Sequence, residues 1–136
     1  MDASLVIEID RSREEPAYEQ VARQIREAIA TGHLKPQQLL PAVRSLAADL
    51  GVNLNTIARA YRLLEEDGFV QIRDRSGVEV ALPARRAPLE ASAALRDELW
   101  HVLMRMRQAG MAPAAIRREA ERQIEKLLAP AGEGGR

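Results

Sequence analysis

The feature that most constrains this chain is a pair of short apolar stripes, both with helical spacing, separated by one glycine. In the segment "AVRSLAADLG", Val43, Leu46 and Leu50 recur at intervals of three and four residues, and Gly51 ends the stripe. A second stripe follows at once, and Asn53 stands where it can cap the new helix. The pattern predicts two helices joined by a tight turn.

The segments on either side predict further elements. Apolar residues at helical spacing run from Pro16 to Gly32 and predict a first helix. The segment "LVIEI" at 5–9 is apolar and β-branched, which predicts a short strand. Two alternating segments, 69–73 and 77–82, are joined by "DRS" and predict a β-hairpin.

This order of elements is typical of a winged helix-turn-helix within a mostly α (α+β) fold, spanning residues 1–82. The third helix is narrow enough to enter the major groove of DNA, while the second braces it across the backbone. The hairpin can reach an adjacent groove or phosphate. The alternative is a small α+β domain that has no role on DNA.

The rest of the chain predicts a linker, two helices and a tail. The linker is "PARRAP" at 83–88, the helices occupy 89–129, and 130–136 form a disordered tail. A two-helix hairpin hides its apolar face poorly by itself, which favours docking against a second copy. The alternative is that these helices pack on their own winged helix. The predicted dimer interface consists of Leu95, Leu99, Val102, Leu103, Met106, Ile116, Ile124 and Leu127.

The residues of the first part also resemble a known family. The run "LLPAVRSLAADLGVNLNTIARAYRLLEEDGF", preceded by "PAYEQVARQIREAIATGHLKP", closely resembles the GntR family of bacterial transcription regulators over about residues 5–82. The segment from Val52 to Glu65 looks most like the YtrA-type branch, which carries a short helical C-terminal tail. Three positions depart from the family pattern, and the first is Leu54, which stands where an arginine is common. Gln37 stands where a glycine is usual, and Asp74 lies in a wing tip that is usually basic.

The resemblance implies which residues of the helix-turn-helix bind DNA. Arg44 matches an arginine that holds DNA, through a phosphate or a guanine edge; the alternative is a solvated surface arginine. Asn53 caps the third helix. Beyond it, Asn55 can contact adenine and Thr56 a phosphate. Leu54 either touches a thymine methyl group or is simply exposed.

Further positive charge comes from the third helix and the wing. Arg59 lies one turn beyond Asn55 and is expected to meet DNA, whereas Arg62 is expected to pair with Glu65 or Glu66. The predicted wing contacts are Arg73, Arg75 and Gly77. We interpret Tyr61, on the apolar stripe, as a packing residue.

Composition excludes several functions. The chain has 20 basic and 20 acidic residues, so any DNA surface must come from a few locally placed arginines. There is no cysteine, and His33 and His101 are far apart. We therefore predict no catalytic site, metal or cofactor. No apolar run approaches the roughly 18 residues of a membrane helix, and no signal peptide is evident, which favours the cytoplasm.

The sequence thus predicts a homodimeric, cytoplasmic transcription regulator, specifically a repressor that binds a palindromic double-stranded DNA operator. The alternative from a different class is a winged helix that serves only as an adaptor for another protein. A small-molecule effector at the dimer interface is left open, and nothing in the sequence identifies one.

Overall fold

The computed structural model describes residues 5–74, 77–83 and 89–129. These residues form five helices and a two-stranded sheet: α1 Ala17–Ala30, α2 Val43–Leu50, α3 Leu54–Glu66, β1 Val70–Arg73, β2 Gly77–Val80, α4 Leu89–Gln108 and α5 Pro113–Leu128. The predicted mostly α architecture is confirmed. The chain divides into two compact units, of which the first reaches Pro83 and the second reaches Ala129. The predicted linker beyond Pro83, Arg75 in the wing, and the tail at 130–136 lie outside the described residues.

The first unit is built around a continuous apolar core. Helices α1 and α3 bring Ile25, Ile57 and Leu64 together, and each of these side chains is fully buried. Their three- and four-residue spacing puts them on one side of each helix, which is why the two helices pack along that side. The whole core consists of Ile7, Val21, Ala22, Ile25, Leu34, Leu40, Leu46, Ala47, Ile57, Ala60, Tyr61, Leu64, Val70, Val78 and Val80.

The β-hairpin pairs with the loop that precedes α2. In the antiparallel hairpin, Val70 lies opposite Val80. On the other side of β2, the Leu40 amide donates to the Val78 carbonyl and the Gln37 amide donates to the Val80 carbonyl, both at 2.8 Å. The loop therefore acts as a short third strand that ties the wing to the start of α2.

Gln37 has an unusual backbone conformation in this loop. Its φ of 69° lies in the left-handed region, where every other described residue with positive φ is a glycine. That region costs a residue with a Cβ atom roughly 1–2 kcal/mol. The glycine that is usual at this position therefore has a steric reason, and Gln37 carries local strain.

The strand predicted at 5–9 is wrong. The structure assigns no strand to this segment, and two glutamines of α1 bond to its main chain instead. The Gln24 side chain accepts from the Glu8 amide at 3.0 Å and donates to the Glu8 carbonyl at 2.7 Å. Gln20 makes the equivalent pair with the Asp10 main chain at 2.8 and 3.0 Å. Since a carboxamide presents the same donor and acceptor as a peptide group, it satisfies an extended backbone equally well.

The second unit is a helical hairpin. Helix α4 ends at a turn that contains Gly110, with φ of 98°, and α5 begins at Pro113 in its first turn. Both features match the predicted boundaries. No residue of α5 is buried within the described chain. Among the helices that the structure describes, none combines the length and apolar character needed to cross a membrane.

Candidate nucleic-acid interface

The turn between α2 and α3 is held by its own side chains and main chain. Gly51 adopts the left-handed conformation, with φ of 68°, and ends α2. The Asn53 side-chain oxygen then accepts from the Asn55 amide at 2.8 Å, which caps α3 as predicted. The cap occupies one of the two acceptor positions of the Asn53 oxygen, and the residue is otherwise exposed. The tight turn fixes the direction in which α3 leaves α2.

The first turn of α3 presents neutral side chains on its surface. Leu54 is 45% exposed, Asn55 is exposed and Thr56 is half-buried. An exposed leucine and an asparagine at a helix tip supply an apolar contact and a paired donor and acceptor, the two kinds of group that read an A·T pair in the major groove. The structure thus brings these predicted residues together at one end of α3.

The arginines of the first unit fall into two groups. In the first group the guanidinium has a partner within the described protein: Arg11 with the Leu50 and Gly51 carbonyls, Arg13 and Arg23 with Glu15, Arg26 with Asp67, and Arg73 with Glu79. The hydrogen bond from Arg23 also lowers the pKa of Glu15, which marks this pair as charged.

The second group is Arg44, Arg59 and Arg62, on α2 and α3. Within residues 5–74, 77–83 and 89–129, their side chains make neither an ion pair nor a hydrogen bond. The expected pairing of Arg62 with Glu65 or Glu66 is therefore wrong. Glu65 instead accepts from the Ile72 amide at 2.9 Å. Among the described arginines of this unit, those without an ion pair or hydrogen bond thus all lie on the helix-turn-helix, although the chain has no net charge.

The wing arginine is more constrained than the sequence suggests. Arg73 pairs through its Nε atom with Glu79 across the hairpin, and its Nη2 atom donates to Gln71 at 2.8 Å. Any phosphate contact by Arg73 must therefore compete with these partners. Asp74 is exposed beside it, and Gly77, with φ of 93°, starts β2. The structure leaves Arg75 undescribed, so its predicted contact stays a prediction.

Two contacts that hold the helix-turn-helix were missed at the sequence level. The Tyr61 hydroxyl of α3 donates to the Pro41 carbonyl at 2.6 Å, and burial raises the pKa of Tyr61, so the hydroxyl stays protonated. The prediction that Tyr61 packs in the core is correct, and this hydrogen bond is additional. The Arg11 Nη2 atom donates to the Gly51 carbonyl at 3.0 Å, which ties the N-terminal segment to the turn. An arginine outside any motif gives no sequence signal of this kind.

Arg59 makes a contact with an aromatic ring. Its guanidinium carbon lies 3.8 Å from the centroid of the Tyr18 ring, which belongs to the first turn of α1. The distance is that of close stacking. In the sequence Tyr18 is one member of the apolar stripe that predicts α1, and a stripe of this kind indicates only packing.

The helical hairpin carries the residues predicted to form a dimer interface. Leu95 and Leu99 are each 60% exposed, Val102 is 46% exposed, and Ile124 and Leu127 are 55% and 50% exposed. Leu103, Met106 and Ile116 are half-buried between the two helices. The structure therefore places all eight residues in one hairpin and leaves five of them exposed.

Three helices, a tight turn between the second and third, and a two-stranded wing define the first unit as a winged helix-turn-helix, the fold of a large class of DNA-binding proteins. The chain belongs to the GntR family of bacterial regulatory proteins, whose family profile matches residues 17–80. It is a transcriptional regulator of that family, in the YtrA branch.

One relative identified by sequence and two solved structures support this assignment. The transcriptional repressor YtrA of Bacillus subtilis is 30% identical over 107 residues, which are 78% of this chain and 82% of that protein. The structure of YtrA from Sulfolobus acidocaldarius matches with a TM-score of 0.58 and 34% identity, covering 88% of this chain and 97% of that one. The DNA-binding domain of AraR, solved in complex with operator ORX1, matches with a TM-score of 0.50 and 29% identity, covering 57% and 96%.

Proposed function

We propose that this regulator is a homodimeric cytoplasmic repressor that binds a palindromic double-stranded DNA operator. The observation that carries the proposal is the placement of three guanidinium groups without an ion pair or hydrogen bond among the described residues on α2 and α3, the helices on either side of the tight turn. A protein folds with its charges paired or solvated, and unpaired arginines on one surface suit a partner that brings negative charge. The AraR domain, which has the same fold, is bound to an operator.

Each residue of the surface then has a distinct role. Arg44 on α2 clamps a phosphate or a guanine edge, and Arg59 adds a second positive contact on α3. Asn55 reads adenine, Leu54 contacts a thymine methyl group, and Thr56 binds a phosphate near the helix tip. Affinity therefore depends mainly on the arginines, and sequence preference depends mainly on the neutral residues.

The wing and the turn complete the surface. Arg73, Arg75 and Gly77 approach the adjacent groove, and Asn53 acts mainly as the cap of α3. Because Arg73 forms an ion pair with Glu79, its contribution to the affinity for DNA is smaller than that of Arg44. The wing thus contributes to placement more than to affinity.

The homodimer follows from the uncovered apolar face of the helical hairpin. Apolar side chains on α4 and α5 that stay half or more exposed are unfavourable in water, and a second copy covers them economically. In a twofold dimer each protomer supplies one α3 to one half-site, so the operator is palindromic. The repressor assignment is supported by the role of Bacillus subtilis YtrA. We assign residues 1–82 to DNA binding and 89–129 to dimerisation.

The experiment is DNase footprinting on the region upstream of the protein's own gene, with the affinity measured over a range of salt concentrations. Binding to phosphates predicts a protected palindrome and an affinity that falls steeply with salt. A winged helix that serves only as a protein adaptor gives neither a footprint nor a salt-dependent shift. Repression is tested in cells that carry a reporter gene fused to the same upstream region. Deleting the gene of the regulator should then raise transcription of the reporter.

A further inference from the structure

The stacking of Arg59 on Tyr18 separates this arginine from every other described arginine of the protein. Arg26 also approaches a ring, that of Phe69, but at 5.7 Å and while paired with Asp67. Arg59 is 3.8 Å from the Tyr18 centroid and has no acidic partner among the described residues. It is the only described arginine that is both stacked and unpaired.

Stacking leaves the hydrogen-bonding capacity of a guanidinium intact. The ring of Tyr18 occupies a face of the planar group, whereas the five N–H donors point outwards in its plane. Arg73 shows the opposite case, because Glu79 and Gln71 occupy donors in the plane itself. Arg59 is thus held in place without losing the donors that a phosphate would bind.

The position of the pair also suits binding to DNA. Arg59 lies four residues after Asn55, so both side chains leave the same face of α3. Tyr18 is half-buried and packs against the core of the first unit, so the ring is a fixed platform rather than a mobile surface group. An arginine that is ordered before it binds loses less conformational entropy on binding than a freely rotating one.

We propose that Tyr18 is a positioning residue for DNA binding, which holds the Arg59 guanidinium on the exposed face of α3 for a DNA phosphate. Tyr18 acts through Arg59 and adds a residue of α1 to a surface otherwise formed by α2, α3 and the wing. The proposal rests on the proposed DNA-binding function and extends it.

The test is a set of substitutions measured on the full chain with a labelled duplex of random sequence at low salt, since a phosphate contact does not depend on base sequence. Tyr18→Leu removes the aromatic face and is expected to weaken binding about fivefold. Tyr18→Phe keeps the ring and should bind within about twofold of the wild type. Arg59→Ala should weaken binding further and reduce the slope of log affinity against log salt by about one.

The double variant decides whether Tyr18 acts through Arg59. Tyr18→Leu combined with Arg59→Ala is expected to bind no more weakly than Arg59→Ala alone, because the ring has nothing left to position. If the two losses multiply instead, or if Tyr18→Leu binds as the wild type does, the inference is wrong. Thermal unfolding of each variant checks the fold, and Tyr18→Met replaces Tyr18→Leu if the latter unfolds at the assay temperature.

Failure of the proposed function gives a different result. If the wild type does not bind the duplex even at low salt, both the DNA-binding function and the role of Tyr18 are overturned. If the wild type binds and its affinity is insensitive to Tyr18→Leu, only the positioning role is overturned.

Discussion

The two units of this protein satisfy their apolar side chains in different ways. In the winged helix, Ile25 and Leu64 are fully buried in a core that draws on every element. In the helical hairpin, Leu99 is 60% exposed and Leu128 is 72% exposed. The first unit therefore buries its own apolar side chains, whereas the second leaves apolar surface uncovered, which suits the proposed dimer. We expect folding stability to depend mainly on the first unit and assembly on the second.

The largest difference should appear when the same substitution is made in both units. Leu64→Ala removes a side chain from a closed core and should lower the free energy of unfolding by about 2–5 kcal/mol. Leu128→Ala, on the exposed side of α5, should change it by less than about 0.5 kcal/mol. Urea denaturation followed by circular dichroism measures both. Equal losses would show that α5 is buried in the folded protein and would remove the contrast between the units.

A charge in the helical hairpin should separate assembly from folding. Leu99→Asp puts a carboxylate into the exposed apolar stripe and should convert the dimer to a monomer in sedimentation experiments. Operator affinity should then fall about 100-fold, because a protomer bound at one half-site no longer brings the α3 of a second protomer to the other half-site. His101→Asp, two residues further and therefore on the opposite side of α4, is the matched control and should leave the dimer intact. A monomeric His101→Asp variant would contradict this assignment of faces.

Substitutions in the winged helix should affect DNA binding and leave assembly alone. Arg44→Ala should weaken binding to all sequences by about 1–3 kcal/mol and reduce the salt slope by about one. Asn55→Ala should instead change the preference at particular base pairs. Arg13→Ala removes an arginine that already pairs with Glu15, at 3.4 Å, and should have little effect. If Arg13→Ala and Arg44→Ala weaken binding equally, the distinction between paired and unpaired arginines fails.

Much of the first unit was predictable from local patterns in the sequence. The boundaries of α2 and α3 follow from Gly51 and Asn53, because a left-handed glycine and a capping side chain act within a few residues. The strand at 5–9 was mispredicted because its apolar, β-branched residues are typical of a strand, but the hydrogen-bonding partners of its main chain include glutamine side chains of α1. Such partners lie 10 and 16 residues away along the chain and leave no periodic signal.

The candidate site divides in the same way. That the helix tip is neutral could be read directly from Leu54 and Asn55. The sequence does not tell whether an arginine is paired, because the partners of Arg11 and Arg26 are about forty residues away along the chain. The stacking of Arg59 on Tyr18 likewise joins two helices whose stripes, taken one at a time, predict only packing.

The smallest expected effect is on the free energy of unfolding and comes from the loop before α2 in the first unit. It should leave the assembly through the second unit unchanged. Gln37→Gly relieves the left-handed strain but increases the freedom of the unfolded chain, so it should raise the free energy of unfolding by about 0.5–1 kcal/mol. Gln38→Gly, at the neighbouring position without positive φ, should lower it. Urea denaturation measures both, and sedimentation should show an unchanged dimer. If Gln37→Gly lowered the free energy of unfolding, the Gln37 side chain would contribute more to stability than the left-handed backbone strain at this residue costs.

The loop before α2 joins the two parts of the winged helix that we propose to face DNA. Its Leu40 amide bonds to the wing at Val78, and the next residue, Pro41, accepts from Tyr61 of α3. These two hydrogen bonds connect the wing and α3 through one loop, so we expect the distance between the wing and α3 to be the same at each half-site. We expect operators to tolerate no inserted base pair between the contacts of α3 and those of the wing. In the proposed dimer, any tolerance for altered spacing should lie between the half-sites.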